Sequence, residues 1–292
     1  MADDTVRLTY RPPFDWSAML RFLGARMLKG VEWIAEDRYY RTVQLGEHTG
    51  WISVRHVPEE HALLVEVTPS LTPALPEVVG RLRHLFDLSA RPDIIAATLT
   101  QDERLATVVR KNPGLRVPGA FDGFELAMRA ILGQQITVKA ATTLSGRLVD
   151  ACGEECRTPH AALARLTPRA ERIAATKVGE LVSLGIIGMR ARSIIAVAEA
   201  VASGQLRLEA GAPPDETMTR LTAMPGIGPW TAQYIAMRAL RWPDAFPRGD
   251  LVLRRRLGGI TAARAEALSQ RWRPWRSYAT VYLWQGGAVV RA

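Results

Sequence analysis

The ten residues Met224-Pro225-Gly226-Ile227-Gly228-Pro229-Trp230-Thr231-Ala232-Gln233 read as a turn between two apolar helical stretches. Pro-Gly-x-Gly in that setting is a helix-hairpin-helix turn. Gly226 permits a positive φ, and Gly228 lets the backbone approach a phosphate that a Cβ would obstruct. Successive N–H groups at the next helix N-terminus then hold a nucleic-acid phosphate without reading base sequence. The same four residues would also serve as a plain joint between two core helices, so the surrounding chain has to decide.

Trp230 and Tyr234, within and just after this stretch, stand four residues apart and share one helix face. Asp250 follows Phe246-Pro247-Arg248-Gly249 at a helix start, where an aspartate alone would be no more than an N-cap. Trp284 belongs to a terminal helix beside the run Arg271-Trp272-Arg273-Pro274-Trp275-Arg276. Leu132-Gly133-Gln134-Gln135-Ile136-Thr137 places two amides at a helix–helix joint. Taken singly, each of these is ordinary core or loop material.

With 292 residues, 48% of them hydrophobic, the chain can bury a substantial core in two or three subdomains. A formal charge of +9 favours a polyanionic partner. The basic residues are almost all Arg, with Lys only at Lys29, Lys111, Lys139 and Lys177. Cys152 and Cys156 have no nearby His or third Cys to complete a metal site, and read as reduced thiols of a cytoplasmic protein. No apolar run is long enough to span a membrane, and the N-terminus lacks an export signal.

The expected class is α+β: an N-terminal antiparallel sheet with two helices over residues 1–90, then a mostly helical core over 91–292. Strand character falls at Tyr39–Gln44, Trp51–His56 and Leu63–Thr68, with Thr5–Tyr10 as a further strand. Asp15 caps a helix to about Leu28, and a second runs over Pro73–Leu88. In the core, helices are expected at Phe121–Gln134, Thr137–Ala151, Pro159–Arg165, Pro168–Ala174, Ala191–Ser203, Thr217–Ala223, Pro229–Leu240, Leu251–Leu257, Ala262–Arg271 and Arg276–Val289. The hairpin occupies about 217–240.

Hairpin, Pro-rich approach and Asp250, with Trp-x3-Tyr between them, resemble the helix-hairpin-helix DNA glycosylases. Within that superfamily the chain is most similar to the bacterial 3-methyladenine DNA glycosylase II type. The likeness runs from Pro12-Pro13-Phe14-Asp15-Trp16 through Arg129-Ala130-Ile131-Leu132-Gly133-Gln134 to Trp272-Arg273-Pro274-Trp275-Arg276-Ser277-Tyr278. It implies Asp250 as the catalytic carboxylate, stabilising positive charge on the sugar as the N-glycosidic bond breaks. Whether Asp250 also deprotonates the water is left open. Trp230, Tyr234, Trp284 and Phe22 would wall the base pocket, where electron-rich rings attract a cationic alkylated purine by roughly 0.5–2 kcal/mol each. Gly226, Ile227, Gly228, Thr231, Gln134 and Gln135 would contact DNA. Backbone carbonyls of Thr222, Met224 and Ile227 would chelate a monovalent cation, Na or K, at the hairpin; no other cofactor is required.

The resemblance also sharpens the reaction. Bifunctional members carry a Schiff-base Lys where this chain has Trp230, and no Lys follows Lys177, so strand cleavage is not expected. The four-Cys iron–sulfur loop of other branches is missing. Gln135 stands at the wedge position where the best-known relative has Leu, leaving Gln135 or Ile136 to fill the gap of a flipped base. Leu251 replaces an aromatic, and Pro229 a basic residue. The expected partner is double-stranded DNA containing alkylated bases, bound by a monomer with no membrane and no nucleotide cofactor. Excision of oxidised or deaminated bases is a second reading. A non-catalytic DNA clamp is a third, in which Trp230 and Trp284 would be core residues far from Asp250.

Overall fold

The structure is a computed structural model describing residues 4–285. Strands β1 (Asp4–Thr9), β2 (Glu32–Ala35), β3 (Arg38–Leu45), β4 (His48–Val57) and β5 (Ala62–Val67) form one antiparallel sheet, ordered β1-β5-β4-β3-β2. Helix α1 (Trp16–Gly24) follows β1 and α2 (Leu75–Leu85) follows β5. Tyr39, Val54 and Val65 stand opposite one another on β3, β4 and β5, all buried, so a one-residue slip would turn this row to solvent. Asp15 caps α1, its carboxylate accepting from the Ala18 N–H at 2.8 Å. Both helices lay apolar faces on the sheet, Trp16 and Phe22 from α1 and Leu82 from α2. Phe121 and Trp284, from far along the chain, complete that core.

The rest is helical: α3 (Pro92–Leu99), α4 (Glu103–Lys111), α5 (Gly123–Leu132), α6 (Val138–Cys152), α7 (Ala170–Ala174), α8 (Val178–Ser183), α9 (Gly188–Ala202), α10 (Pro214–Thr222), α11 (Pro229–Arg238), α12 (Leu251–Arg256), α13 (Ala262–Ser269) and α14 (Arg276–Gln285). Ile131, Ile194, Ile235 and Trp272 are fully enclosed among them. None of the described helices is long and apolar enough to cross a membrane. Cys152 and Cys156 are free thiols.

Three buried charges and the half-buried Arg129 join the sheet to this core. Arg41 of β3 pairs with Glu125 of α5 and with Glu32 of β2 at 3.5 Å, and Arg129 reaches Glu32 at 3.1 Å and Glu125 at 2.9 Å. Burial alone would raise the Glu125 pKa, but the Arg41 and Arg129 charges outweigh it and hold it at about 2. Each oxygen of Glu32 and Glu125 has a donor, including the Tyr39 and Thr167 hydroxyls.

One expectation is corrected, and two stretches that the sequence did not mark form regular elements. Pro159–Arg165 is not a helix but an irregular strap across the sheet, bridged at Gly30–Leu163 and Glu155–Arg165. Its Thr158 hydroxyl accepts from the His160 N–H and donates to the Leu163 carbonyl at 2.7 Å, supplying bonds that a helix would otherwise make. His160 sits among the rings of Trp33, Tyr40 and Trp51. Glu32–Ala35, not marked by alternation, pairs as β2 because its partner β3 is already in the sheet. Residues 92–111 form α3 and α4, which the spacing of apolar residues did not separate from their surroundings. The end of the expected Arg276–Val289 helix lies outside the described residues beyond Gln285.

Candidate active site and nucleic-acid interface

The hairpin connects α10 to α11. Gly226 has φ +77, and a Cβ there would collide with Ser193 Oγ, so both backbone and packing require glycine. Gly228 differs: its φ is −89 and nothing in the protein lies within 4 Å of where a Cβ would project. The Ser193 hydroxyl donates to the Pro225 carbonyl at 2.6 Å, and the Gln134 amide donates to the Gly226 carbonyl and Thr231 hydroxyl, both at 2.9 Å. Gln134 is thus half-buried and engaged in bracing the turn. The N–H groups of Gly226, Gly228 and Trp230 meet no protein acceptor among the described residues, as expected at a helix N-terminus. They form an unpaired donor set.

Two residues named with them turn inward. The Ile227 side chain is buried and its N–H donates to the Met224 carbonyl at 3.2 Å. The Thr231 side chain is buried beneath Gln134. Apolar packing withdraws the first and the Gln134 brace withdraws the second. Gln135 is exposed with φ +55, a left-handed conformation uncommon for a residue bearing a Cβ, whereas Ile136 is half-buried. Thr222 is exposed and Met224 half-buried on the other side of the turn.

Asp250 caps α12, its Oδ1 accepting from the Leu253 N–H at 2.8 Å. The cap is only part of its role. Oδ1 also accepts from the Trp284 indole N–H at 3.2 Å, and Oδ2 from the Trp230 indole N–H at 3.2 Å. Trp230 stacks on Tyr234 with centroids 5.3 Å apart, Tyr234 lies 6.2 Å from Trp284, and Trp284 stacks on Phe22 at 6.3 Å. Four aromatic residues from three helices therefore converge on one half-buried carboxylate that has no cation within ion-pair distance among the described residues. An Asp serving only as a helix cap would need neither indole.

Arginines that the sequence reading missed lie behind the rings. Arg238, one turn beyond Tyr234 on α11, donates to the Tyr234 hydroxyl at 2.7 Å and to the carbonyls of Pro118 at 2.7 Å and Gly119 at 2.9 Å. Its guanidinium carbon lies 5.0 Å from the Phe22 ring centre, and that of Arg26 lies 3.9 Å from it. Burial would raise the Tyr234 pKa, but the charges of Arg238, Arg26 and Arg129 bring it below the usual phenol value. Spacing along α11, with Arg238 four residues after Tyr234, was the available signal.

Residues 5–122 match the AlkA N-terminal domain and residues 128–276 the HhH-GPD superfamily of base excision DNA repair proteins. The chain is 35% identical over 277 residues to DNA-3-methyladenine glycosylase 2 of Escherichia coli (strain K12), covering 95% of both. It is 39% identical to a probable bifunctional transcriptional activator/DNA repair enzyme AlkA of Mycobacterium tuberculosis, spanning 56% of that longer protein. The fold superposes on a 3-methyladenine DNA-glycosylase from Archaeoglobus fulgidus with TM-score 0.80 and 20% identity, covering 96% of this chain and 97% of that one. Joined to the hairpin and the Asp250 cluster, these matches establish that the chain belongs to the HhH-GPD superfamily of base excision DNA repair proteins.

Proposed function

We propose that the protein is a monofunctional DNA glycosylase that excises alkylated purines, 3-methyladenine and 7-methylguanine among them, from duplex DNA by hydrolysing the N-glycosidic bond. The observation that carries this reading is Asp250 held by two indole N–H groups whose rings belong to the same aromatic cluster. Neutral donors orient the carboxylate and leave its charge in place.

The electrostatics have the sense that bond cleavage needs. As the bond from C1′ to the base nitrogen breaks, its electron pair leaves with the base and the sugar becomes an oxocarbenium ion. Asp250 supplies negative charge toward the sugar, while Arg238 and Arg26 supply positive charge behind Phe22 and Tyr234 on the base side. Oδ1 already takes two donors and Oδ2 one, so Oδ2 keeps a lone pair for the sugar or the attacking water. Water then adds to C1′, loses a proton, and leaves an abasic site.

A base stacked on both faces needs rings roughly 7 Å apart, twice the normal contact distance. The Trp284–Phe22 pair, 6.3 Å between centroids with planes 20° apart, is within one ångström of that, whereas Tyr234 is tilted 46° from Trp284, so it is the Trp284–Phe22 pair that would open to admit a nucleobase. Gln135, exposed and left-handed, would enter the gap left by the flipped base. Phosphate would sit on the unpaired N–H groups of Gly226, Gly228 and Trp230. The Met224 carbonyl keeps one lone pair after accepting from Ile227, so it, Thr222 and Ile227 would supply oxygens for a Na or K ion bracing the hairpin. One flipped base needs one such site, and we expect a monomer that works in the cytoplasm on chromosomal DNA.

The reading carries no lyase activity, because the resemblance puts Trp230 where the bifunctional members have their nucleophilic Lys and no Lys follows Lys177. The test is incubation with N-methylated duplex DNA and chromatography of the released bases. Free 3-methyladenine, with strand scission only after alkali, is expected. Intact DNA binding without base release would overturn the proposal. The arginines behind the pocket also favour uncharged lesions whose base departs as an anion, and parallel release of hypoxanthine measures that contribution.

A further inference from the structure

A cavity of about 500 Å³ opens at the far end of α11 from the hairpin, within the size range of small-ligand sites. Its walls include His84, Asp87 and Ser89 from the end of α2 and the turn beyond it, together with Arg241, Trp242 and Trp275. None of these belongs to the Asp250 cluster.

The lining is rich in polar groups without protein partners. His84 is 8% exposed, yet neither ring nitrogen has a hydrogen bond. The carbonyls of Arg238 and Ala239 are near enough to favour its charged form weakly, but neither reaches hydrogen-bond geometry. Burial first, then the Arg241 charge, lowers the His84 pKa to about 4. The neutral imidazole therefore carries one donor and one acceptor. The indole N–H groups of Trp242 and Trp275 also find no acceptor among the described residues. Arg241 is 42% exposed, and Asp87 Oδ1 at 4.0 Å is its one ion-pair partner there. Asp87 and Arg241 have φ of +51 and +58, left-handed conformations that residues with a Cβ adopt at a cost, and such strain clusters at functional sites.

We propose that this cavity binds a nucleotide, with its heteroaromatic ring against Trp242 and Trp275 and its phosphate on Arg241. The indoles offer stacking faces, the guanidinium a two-pronged phosphate donor, and His84 the paired donor and acceptor that match a base edge. The site adjoins the aromatic cluster through one wall. Gly119 lines the cavity, its carbonyl accepts from Arg238, and Arg238 donates to Tyr234.

Calorimetric titration of the full chain with deoxyadenosine monophosphate tests this independently of base excision. Saturable one-site binding is expected, with inorganic phosphate at least about tenfold weaker. Arg241→Gln, at an exposed position, should weaken the nucleotide by about tenfold or more. Ser89→Trp should block the mouth and abolish binding without changing the unfolding temperature, while Trp230→Ala should bind as the parent does. No saturable binding by the parent overturns the proposal. So does phosphate binding as tightly as the nucleotide. Loss of binding in Trp230→Ala with retention in Ser89→Trp would place the nucleotide at the Asp250 cluster and also overturn it.

Discussion

Two carboxylate environments in this molecule are built on opposite principles. Glu32 and Glu125, at the joint between sheet and helices, are each met by two arginines, so four charges cancel within a few ångströms. Asp250 receives only neutral donors: two indole N–H groups and one backbone N–H. A carboxylate whose task is to hold two layers together is best neutralised, because an unpaired charge there would face the cost of desolvation. The catalytic role proposed for Asp250, stabilising a transient cation, requires instead that its charge stay unspent until the cation forms. Hydrogen bonds from indoles fix its position without cancelling its field.

The contrast can be broken at the joint first. Glu125→Gln leaves Arg41 and Arg129 short of one counter-charge in the interior, and denaturant unfolding should show a loss of roughly 3–5 kcal/mol. Asp250→Asn should act on the reaction instead. Asn keeps the helix cap through its amide oxygen but turns its NH2 group toward the Trp230 indole N–H, so unfolding should cost only about 1 kcal/mol. Base release measured in single turnover should nonetheless fall by roughly 10²–10³-fold. If Glu125→Gln proved harmless and Asp250→Asn unfolded the chain, the two roles would be reversed.

Glu125 titrates at about 2 in the folded protein, below its ordinary value of 4.5. Its stabilisation is therefore fully present above pH 4.5 and is lost as pH falls toward 2. The stability gap between the parent and Glu125→Gln, measured by urea unfolding, should close across that window by roughly 3 kcal/mol. A gap independent of pH would mean that the Arg41 and Arg129 charges do not set it. The smallest effect is expected from Trp284→Phe, which keeps a ring on Phe22 and Tyr234 but removes one donor from Oδ1. Base release should drop by about tenfold, the worth of one hydrogen bond to a charged group, with DNA affinity little changed.

The local signals in the chain were strong where chemistry is local. Pro225-Gly226-Ile227-Gly228 named the turn because positive φ and close approach are properties of glycine itself. Trp230 and Tyr234 shared a face through the 3.6-residue period, and Asp15 marked its own helix. The same alternation found β3, β4 and β5, but β2 is too short to alternate visibly and depends on its neighbour. Pro159–Arg165 carried a helical pattern that the Thr158 hydroxyl and the aromatic ring cage around His160 override.

By its sequence alone the protein declared an α+β chain with a glycine-rich helix-hairpin-helix turn and a set of aromatics associated with one aspartate. Only the tertiary structure decided that Trp230 and Trp284, from helices 54 positions apart in the chain, donate to opposite oxygens of Asp250. It also decided that Ile227 and Thr231 face inward, and that Arg26 and Arg238 flank the same phenylalanine. The reason is physical: backbone preference and periodicity act over a few residues, whereas a charge or a hydrogen bond is felt across whatever distance in sequence the packed core closes.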